Sequence, residues 1–331
     1  MSPPQELEII AHAKRFFEHN ARGGKIALGI GDDCASIIPA PGHEILLTVD
    51  TLAEGVHFLR DLCSPEEIGA KAVNTSVSDI AAMGGQPLAL LLSVNLHDVD
   101  RKWMNSFLKS AAKAARMVGA RIIGGNVSAG AALCFSVTAV GEVKKGFRVD
   151  RSGAKPGDAV YVTGHPGESA LGLDLMMEAG RRTPWQKKLI NRHTLPQPRI
   201  PWGRLLGKKK IASAMIDVSD GLILDLRRMA EASGVGGRLF LEKIPISQAA
   251  RAMMKLKGKE SVLERMATGG EDYELLFTTT ARKEAELLGL IKQGLITATK
   301  IGEMTREKGK LEIFGGNGKK VDFQTEGWLH S

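Results

Sequence analysis

The stretch Lys25-Ile-Ala-Leu-Gly-Ile-Gly-Asp-Asp33, followed by Cys34-Ala35-Ser36, decides how this chain is read. Lys25 to Leu28 is a short apolar run that reads as a strand. Gly29 and Gly31 then free the backbone for a tight turn, and two adjacent carboxylates stand at that turn. Neighbouring aspartates repel: at about 4 Å and an effective dielectric of ~20 the cost is ~4 kcal/mol unless a positive charge intervenes. Taken alone, this is an Asp-rich surface turn. Four further carboxylates repeat the style, each at the edge of an apolar segment: Asp50, Asp79, Asp217 and Asp220. Together they suggest oxygen ligands for Mg²⁺.

Working outward, Glu44-Ile-Leu-Leu-Thr-Val-Asp50 is a second strand ending in a carboxylate, and the loop beyond it carries Glu54, Gly55 and His57. Upstream, Ile9, Ile10, Ala13, Phe16 and Phe17 recur at helical spacing, which predicts an amphipathic helix over Glu6 to His19. Ser64-Pro65-Glu66-Glu67 is a helix start, with Ser64 as cap, Pro65 at the first position and Glu67 completing a capping box. That helix should end at Gly84-Gly85. Near its C-terminal end Asn74, Thr75, Ser78 and Asp79 form one polar patch. A carboxylate there opposes the macrodipole and calls for a cation or a partner. Leu88 to Leu96 reads as a central strand, Arg101 to Val118 as a helix, and Arg121 to Asn126 and Leu133 to Val143 as strands.

Gly146 to Asp158 has the polar, Gly- and Pro-bearing character of a linker. It divides the chain into residues 1–147 and 148–331. Beyond it, Ala159 to Gly164 is a strand and a helix runs through Leu171, Leu175 and Met176. Pro196, Pro198 and Pro201 mark an extended connector. Ala214 to Asp217 is a strand, Leu222 to Ser233 a helix, and Arg238 to Ile244 and Tyr273 to Thr279 strands. A helix over Lys283 to Lys292, a strand over Ala298 to Glu303 and a hairpin about Gly315 to Gly318 finish the chain. Both halves mix strands and helices without strict alternation, which predicts α/β content arranged as an α+β layer in each half.

Composition sets the class. The chain has 331 residues, 43% hydrophobic and 25% charged, so two globular domains are expected. It shows no export signal and no apolar run long enough to span a membrane. Three widely spaced cysteines form neither a metal pair nor a disulfide framework, which suits a reducing cytoplasm. The excess of 45 Lys and Arg over 37 Asp and Glu is scattered and only 5% of residues are aromatic, so a nucleic-acid surface is not supported. Small anionic substrates are the better partners for that charge.

Familiar nucleotide motifs are absent. Gly29-x-Gly31 lacks the third glycine of the dinucleotide fingerprint, and no P-loop or kinase catalytic set occurs. Gly124-Gly125-Asn126 and Gly164-His165-Pro166-Gly167 offer backbone N–H groups to phosphate instead. Several aspartates on separate strand and helix ends, with Thr48 and Ser219, suit Mg²⁺ ions shared with nucleotide phosphates.

The segments GIGDDCA (29–35), VDTLAEGVHF (49–58), SVSDIAAMGG (76–85), RSGAKPGDAVYVTG (151–164), IDVSDG (216–221) and GGEDYEL (269–275) resemble the thiamine-monophosphate kinase family, in order and over nearly the whole chain. Its superfamily includes aminoimidazole ribonucleotide synthetase and selenophosphate synthetase. The resemblance implies the two-domain aminoimidazole-ribonucleotide-synthetase-like fold. Residues 1–147 would bind metal and ATP and pair in a homodimer, and 148–331 would complete the active site. It implies ATP- and Mg²⁺-dependent phosphorylation of thiamine monophosphate to thiamine diphosphate. By matching position, Asp33, Thr48, Asp50, Asp79, Asn126, Asp217 and Asp220 are expected as Mg²⁺ ligands. Gly125, Asn126, Arg151 and Ser219 are expected to contact ATP, and His57, Glu271 and Trp328 the thiamine side.

The implied chemistry needs no general base, because a phosphate monoester with a second pKa of about 6 is already a nucleophile at pH 7. Catalysis then consists of aligning two anions and neutralising their charge. The chain departs from the family pattern at Asn126, where an aspartate is usual, and at Val49, where a hydroxyl residue is usual. Both departures predict weaker binding at one Mg²⁺ site. Two other readings stay open at this point: a superfamily relative acting on another small acceptor, and a nucleotide-binding protein with a degraded metal site.

Overall fold

The computed structural model describes residues 6–17, 25–30, 34–323, 325 and 327–328. The chain divides into two compact units, one of Met1–Ile80 with Gly85–Gly146, the other of Ala81–Gly84 with Phe147–Ser331.

The first unit contains α1 (Glu6–Phe17), β1 (Ile26–Leu28), β2 (Ser36–Ile37), β3 (His43–Ala53), α2 (Pro65–Ala82), β4 (Gln86–Leu96), α3 (Arg101–Met117), β5 (Arg121–Ala129) and β6 (Cys134–Lys144). The last residues of α2 belong to the other unit. β1 and β2 form a small ladder, and the main sheet runs β3-β6-β4-β5. Only β4 and β5 are parallel, with α3 as their crossover. The start of α2 follows from its residues: the Ser64 N–H donates to Glu67 Oε2 at 2.8 Å and the Glu67 N–H to Ser64 Oγ at 3.2 Å. The apolar sides of α2 and α3 cover one sheet face, where Val77, Leu90, Phe107 and Phe135 are fully buried. Phe107 and Phe135 stack with centroids 4.0 Å apart.

The other sheet face is covered at one end, where Ile26 of β1 packs with Ala89, Ile123 and Val140, and is bare along β3. On the edge strand β3, Leu46 and Leu52 are buried, whereas Leu47 is 70% and Val49 62% exposed. This is the alternation that a strand with one covered face must show.

The second unit contains β7 (Ala159–Thr163), α4 (Glu168–Met177), α5 (Pro184–Thr194), α6 (Ile200–Lys208), β8 (Ala212–Asp217), α7 (Leu222–Ser233), β9 (Gly236–Phe240), α8 (Gln248–Lys257), α9 (Lys259–Thr268), β10 (Leu275–Thr279), α10 (Ala281–Lys292), β11 (Ala298–Thr305) and β12 (Leu311–Phe314). Its sheet runs β12-β9-β11-β7-β10-β8 and is antiparallel except at β12–β9. One apolar core built from β7, β8, α7, α8 and α9 includes Val162, Ile216, Leu222, Leu226, Met229 and Met266. Among the described residues no helix is long and apolar enough to cross a membrane.

Three expectations need correction. The connector over Pro196 to Pro201 is shorter than expected, because α6 begins at Ile200 with Pro201 in its first turn, where proline's missing N–H costs nothing. The strand expected from Arg238 to Ile244 stops at Phe240 and gives way to a tight 3-10 turn over Leu241–Lys243. The strand expected from Tyr273 starts at Leu275, because Tyr273 has φ 54° and lies outside the β region. The expected hairpin about Gly315 to Gly318 forms, with an antiparallel bridge from Phe314 to Lys320 and the Val321 N–H donating to the Ile313 carbonyl at 2.9 Å, while β12 pairs in parallel with β9 on its other edge.

Candidate functional site

Each unit carries its own acidic constellation. In the first, Thr48 and Asp50 alternate with exposed Val49 along β3 and so point to the covered side of the sheet. Asp79 comes from the C-terminal half of α2. Thr48 Oγ1 donates to Asp79 Oδ2 at 2.5 Å. Burial, and then the Asp79 charge, push the Asp50 carboxyl up to about 6, against a hydrogen bond from Ser76 that lowers it. No described basic side chain pairs with Asp50 or Asp79. The pair is therefore left with its mutual repulsion, as a cation site without its cation would be. Asp33 lies outside the described residues.

His57 sits just beyond β3. Its Nδ1 accepts the Ala53 N–H at 3.1 Å. A backbone N–H can only donate, so the neutral ring carries its hydrogen on Nε2. Lys71 of α2, 2% exposed, donates from Nζ to the His57 carbonyl at 3.0 Å and fixes the loop from beneath.

On β5, Gly125 is the residue that permits the strand's close approach to β4. Its φ is +155°, and a Cβ there would lie 1.8 Å from the Leu92 carbonyl oxygen. Asn126 is in register with Ser93, which is in register with Ser136, which faces Thr51. Asp50 belongs to the neighbouring row with Val137, Leu92 and Gly125. Adjacent rows face opposite sides of a pleated sheet, so Asn126 and Asp50 do not share a face. Val49 likewise points away from Asp50.

In the second unit Asp217 closes β8 and is 5% exposed. The Ser219-Asp220-Gly221 turn that follows is organised by Asp225, in the first turn of α7. Asp225 Oδ2 accepts the N–H groups of Ser219, Asp220 and Gly221 at 3.0, 3.1 and 3.2 Å. Arg228 Nη1 donates to Asp225 Oδ1 at 2.9 Å and also to Asp220. Burial pushes Asp225 up to about 6, with the neighbouring backbone N–H and the Arg228 charge pulling the other way. The Trp328 N–H donates to the Asp220 carbonyl at 2.8 Å, which brings the exposed Trp328 ring beside this turn. Arg151 is exposed at the start of the unit.

The segment before β10 lies along the same turn. The Glu271 N–H donates to the Ser219 carbonyl at 2.7 Å and the Tyr273 N–H to the Val218 carbonyl at 2.9 Å. Asp272 caps α4 by accepting the Gly167 and Ser169 N–H groups at 2.5 and 3.0 Å, and burial raises its carboxyl well above the usual range. Ser219, Asp220, Glu271 and Trp328 thus converge within one unit, as do Thr48, Asp50 and Asp79 in the other. Among the described residues no group of three or more His, Cys, Asp or Glu side chains is close enough to hold a metal by itself.

Reading the sequence missed Ser76, Lys71, Asp225, Arg228 and His193. Asp225 had a signal: an acidic residue in the first turn after Ser-Asp-Gly is placed to cap a helix. The others had none, since their roles come from tertiary neighbours.

Two domains, each a layered sheet and helices with acidic turns in place of a P-loop, define the class. Residues 31–143 match the family model for the AIR synthase related protein N-terminal domain, and residues 155–313 that for the C-terminal domain. The chain is 38% identical over 330 residues to the thiamine-monophosphate kinase of Salmonella typhimurium, with 98% of each chain covered. The crystal structure of thiamine-monophosphate kinase from Stenotrophomonas maltophilia superposes with TM-score 0.83 at 31% identity, over 93% of this chain and 97% of that one. A solved complex of AaThiL with AMPPCP and TMP superposes with TM-score 0.77 at 33% identity, over 98% and 97%. The chain belongs to the thiamine-monophosphate kinase family.

Proposed function

We propose that the protein transfers the γ-phosphoryl group of ATP to the phosphate of thiamine monophosphate, giving thiamine diphosphate and ADP. The observation that carries this reading is the Asp50–Asp79 pair, a buried and mutually repelling dicarboxylate whose ionised form calls for a divalent cation. Mg²⁺ fits that donor set, because it is commonly held by one or two carboxylates, with water and substrate phosphates completing the shell. Asp50 and Asp79 hold it in the first unit with Thr48 assisting. Asp217 and Asp220 serve in the second and Asp33 completes the set, whereas Asn126 faces the other side of the sheet from Asp50 and does not join the ion held there. When bound, Mg²⁺ neutralises phosphate charge as it develops.

The chain's own residues do the rest. Gly125, Asn126, Arg151 and Ser219 contact ATP. His57 presents its Nε2–H to the acceptor phosphate without adding a proton-transfer step. Glu271 and Trp328 face the thiamine side, where an aromatic ring suits the thiazolium cation. The nucleophile is a phosphate oxygen already ionised at neutral pH.

The same reading includes a homodimer of first units. Its support is the bare part of the sheet face, where Ile45, Leu47, Val49 and Leu91 are 41%, 70%, 62% and 37% exposed next to a long edge strand. Leu47→Glu is expected to halve the mass seen by light scattering. The reaction is tested by incubating the protein with Mg-ATP and thiamine monophosphate and weighing the product. Thiamine diphosphate is expected from the wild type. Tight ATP binding with no product from this acceptor overturns the proposal.

A further inference from the structure

We infer that His193 is a positioning residue for the acceptor side of the reaction, its imidazole setting the orientation of the Glu271 carboxylate from behind. The inference rests on the proposed contact between Glu271 and thiamine monophosphate.

His193 lies in the last turn of α5 and is 4% exposed. Its Nδ1 stands 3.1 Å from Ser169 Oγ, in the first turn of α4, and 3.4 Å from Glu271 Oε2. Ser169 is fully buried. A ring-nitrogen lone pair facing a carboxylate oxygen would be repelled by it. Nδ1 hydrogen-bonds with the Ser169 hydroxyl and lies within ion-pair distance of the carboxylate, to which a protonated ring is attracted. The α4–α5 helix pair thus reaches the carboxylate through one rigid ring.

The backbone of Glu271 is held independently. Its φ is 64°, in the left-handed region that residues other than glycine rarely occupy, and its N–H is tied to Ser219. Strained backbone of this kind persists where the surroundings over-determine it, as they do at functional sites. The Glu271 side chain keeps 22% of its surface accessible while its Oε1 atom is buried, so the carboxylate is held at the edge of the site. His193 meets Ser169 and Glu271, so its effect is expected on the acceptor side.

The test compares steady-state constants of the wild type with His193→Leu, which removes the donor, and His193→Asn, whose amide N–H lies where Nδ1 was. His193→Leu is expected to raise KM for thiamine monophosphate about tenfold, through the loss of the polar contact that orients the carboxylate, with kcat and KM for ATP within about twofold. His193→Asn is expected to recover most of that loss. An unchanged acceptor KM in His193→Leu overturns the inference, as does an equal fall in kcat for both variants, which is what a packing role produces. Should His193→Leu fail to fold, Ser169→Ala removes only the hydroxyl that fixes the ring. A rise of about threefold in the same KM is then expected, and no rise overturns the inference. A wild type that forms no thiamine diphosphate overturns the functional reading itself. An active wild type with an unaltered leucine variant overturns the role of His193 alone.

Discussion

The two acidic constellations use the same residue type and solve its electrostatic problem in opposite ways. Behind Ser219-Asp220-Gly221, three backbone N–H groups and Arg228 donate to Asp225 and offset part of the cost of burying it, although burial still raises it to about 6. Around Asp50, burial and Asp79 oppose ionisation, and only Ser76 favours it. Asp225 is a structural support that shapes the loop carrying Ser219 and Asp220. The Asp50–Asp79 pair is unfavourable until a ligand arrives, as expected where function rather than stability dictates the residue. Among clustered aspartates, the partners of each carboxylate distinguish the two roles.

Substitutions break the comparison from opposite sides. The largest effect is expected for Asp50→Asn. An amide is isosteric with the protonated acid but cannot offer a metal its charge, so kcat should fall by about a thousandfold, or ~4 kcal/mol. The metal-free variant should nevertheless melt no lower than the wild type at pH 7.5. Asp225→Ala should do the reverse to stability. It leaves three N–H donors and one arginine without their acceptor, so a loss of ~3 kcal/mol is expected, seen as a lower midpoint in urea. Equal midpoints for Asp225→Ala and wild type would mean that the two regions do not differ in this way.

The pH dependence sharpens the same contrast. In the metal-free protein Asp50 titrates at about 6, raised from an ordinary 3.8. The folded state therefore holds this proton more tightly than the unfolded chain. Its stabilising contribution is full below pH 3.8 and is lost as pH rises through about 6. Asp225 is raised into the same range and adds to the slope. Asp50→Asn should flatten part of that slope and leave the Asp225 part. Mg²⁺ must displace the Asp50 proton, so its affinity should fall about tenfold between pH 7.5 and pH 5 when titrated calorimetrically. An affinity independent of pH would place the metal elsewhere.

What was legible in the sequence follows the range of the interactions. The capping box at Ser64 and Glu67, the helix from Leu222 to Ser233 and the alternation of β3 are local patterns, and they appear where expected. Asp50, Asp79, Asp217 and Asp220 were visible because each stands at the edge of an apolar segment, and Glu271 only through the family resemblance of GGEDYEL. Their partners were not: Ser76 reaches Asp50, and His193 reaches Glu271, only once the sheet and helices are assembled. The left-handed backbone at Glu271 and Tyr273 was hidden for the same reason. Nothing in Gly-Gly-Glu-Asp-Tyr marks two non-glycine residues for positive φ, which the Val218–Ser219 turn imposes through its carbonyls.

The smallest effect concerns Val49. Read from sequence, a valine in place of a hydroxyl residue beside Asp50 argues for a weakened metal site. In the folded strand the pleat sends Val49 to the bare face, 62% exposed, while Asp50 and Thr48 face the helices. A hydroxyl at 49 would point away from the carboxylates and lie level with Thr138 on β6. Val49→Thr should therefore change kcat and the Mg²⁺ concentration for half-maximal rate by less than about twofold, since an exposed threonine replaces an exposed valine of similar shape. Its effect should fall on self-association, where a polar group on an apolar sheet face weakens the contact. A sharpened Mg²⁺ response in Val49→Thr would show that residue 49 serves the metal, and that the two faces of β3 are not divided between pairing and chemistry.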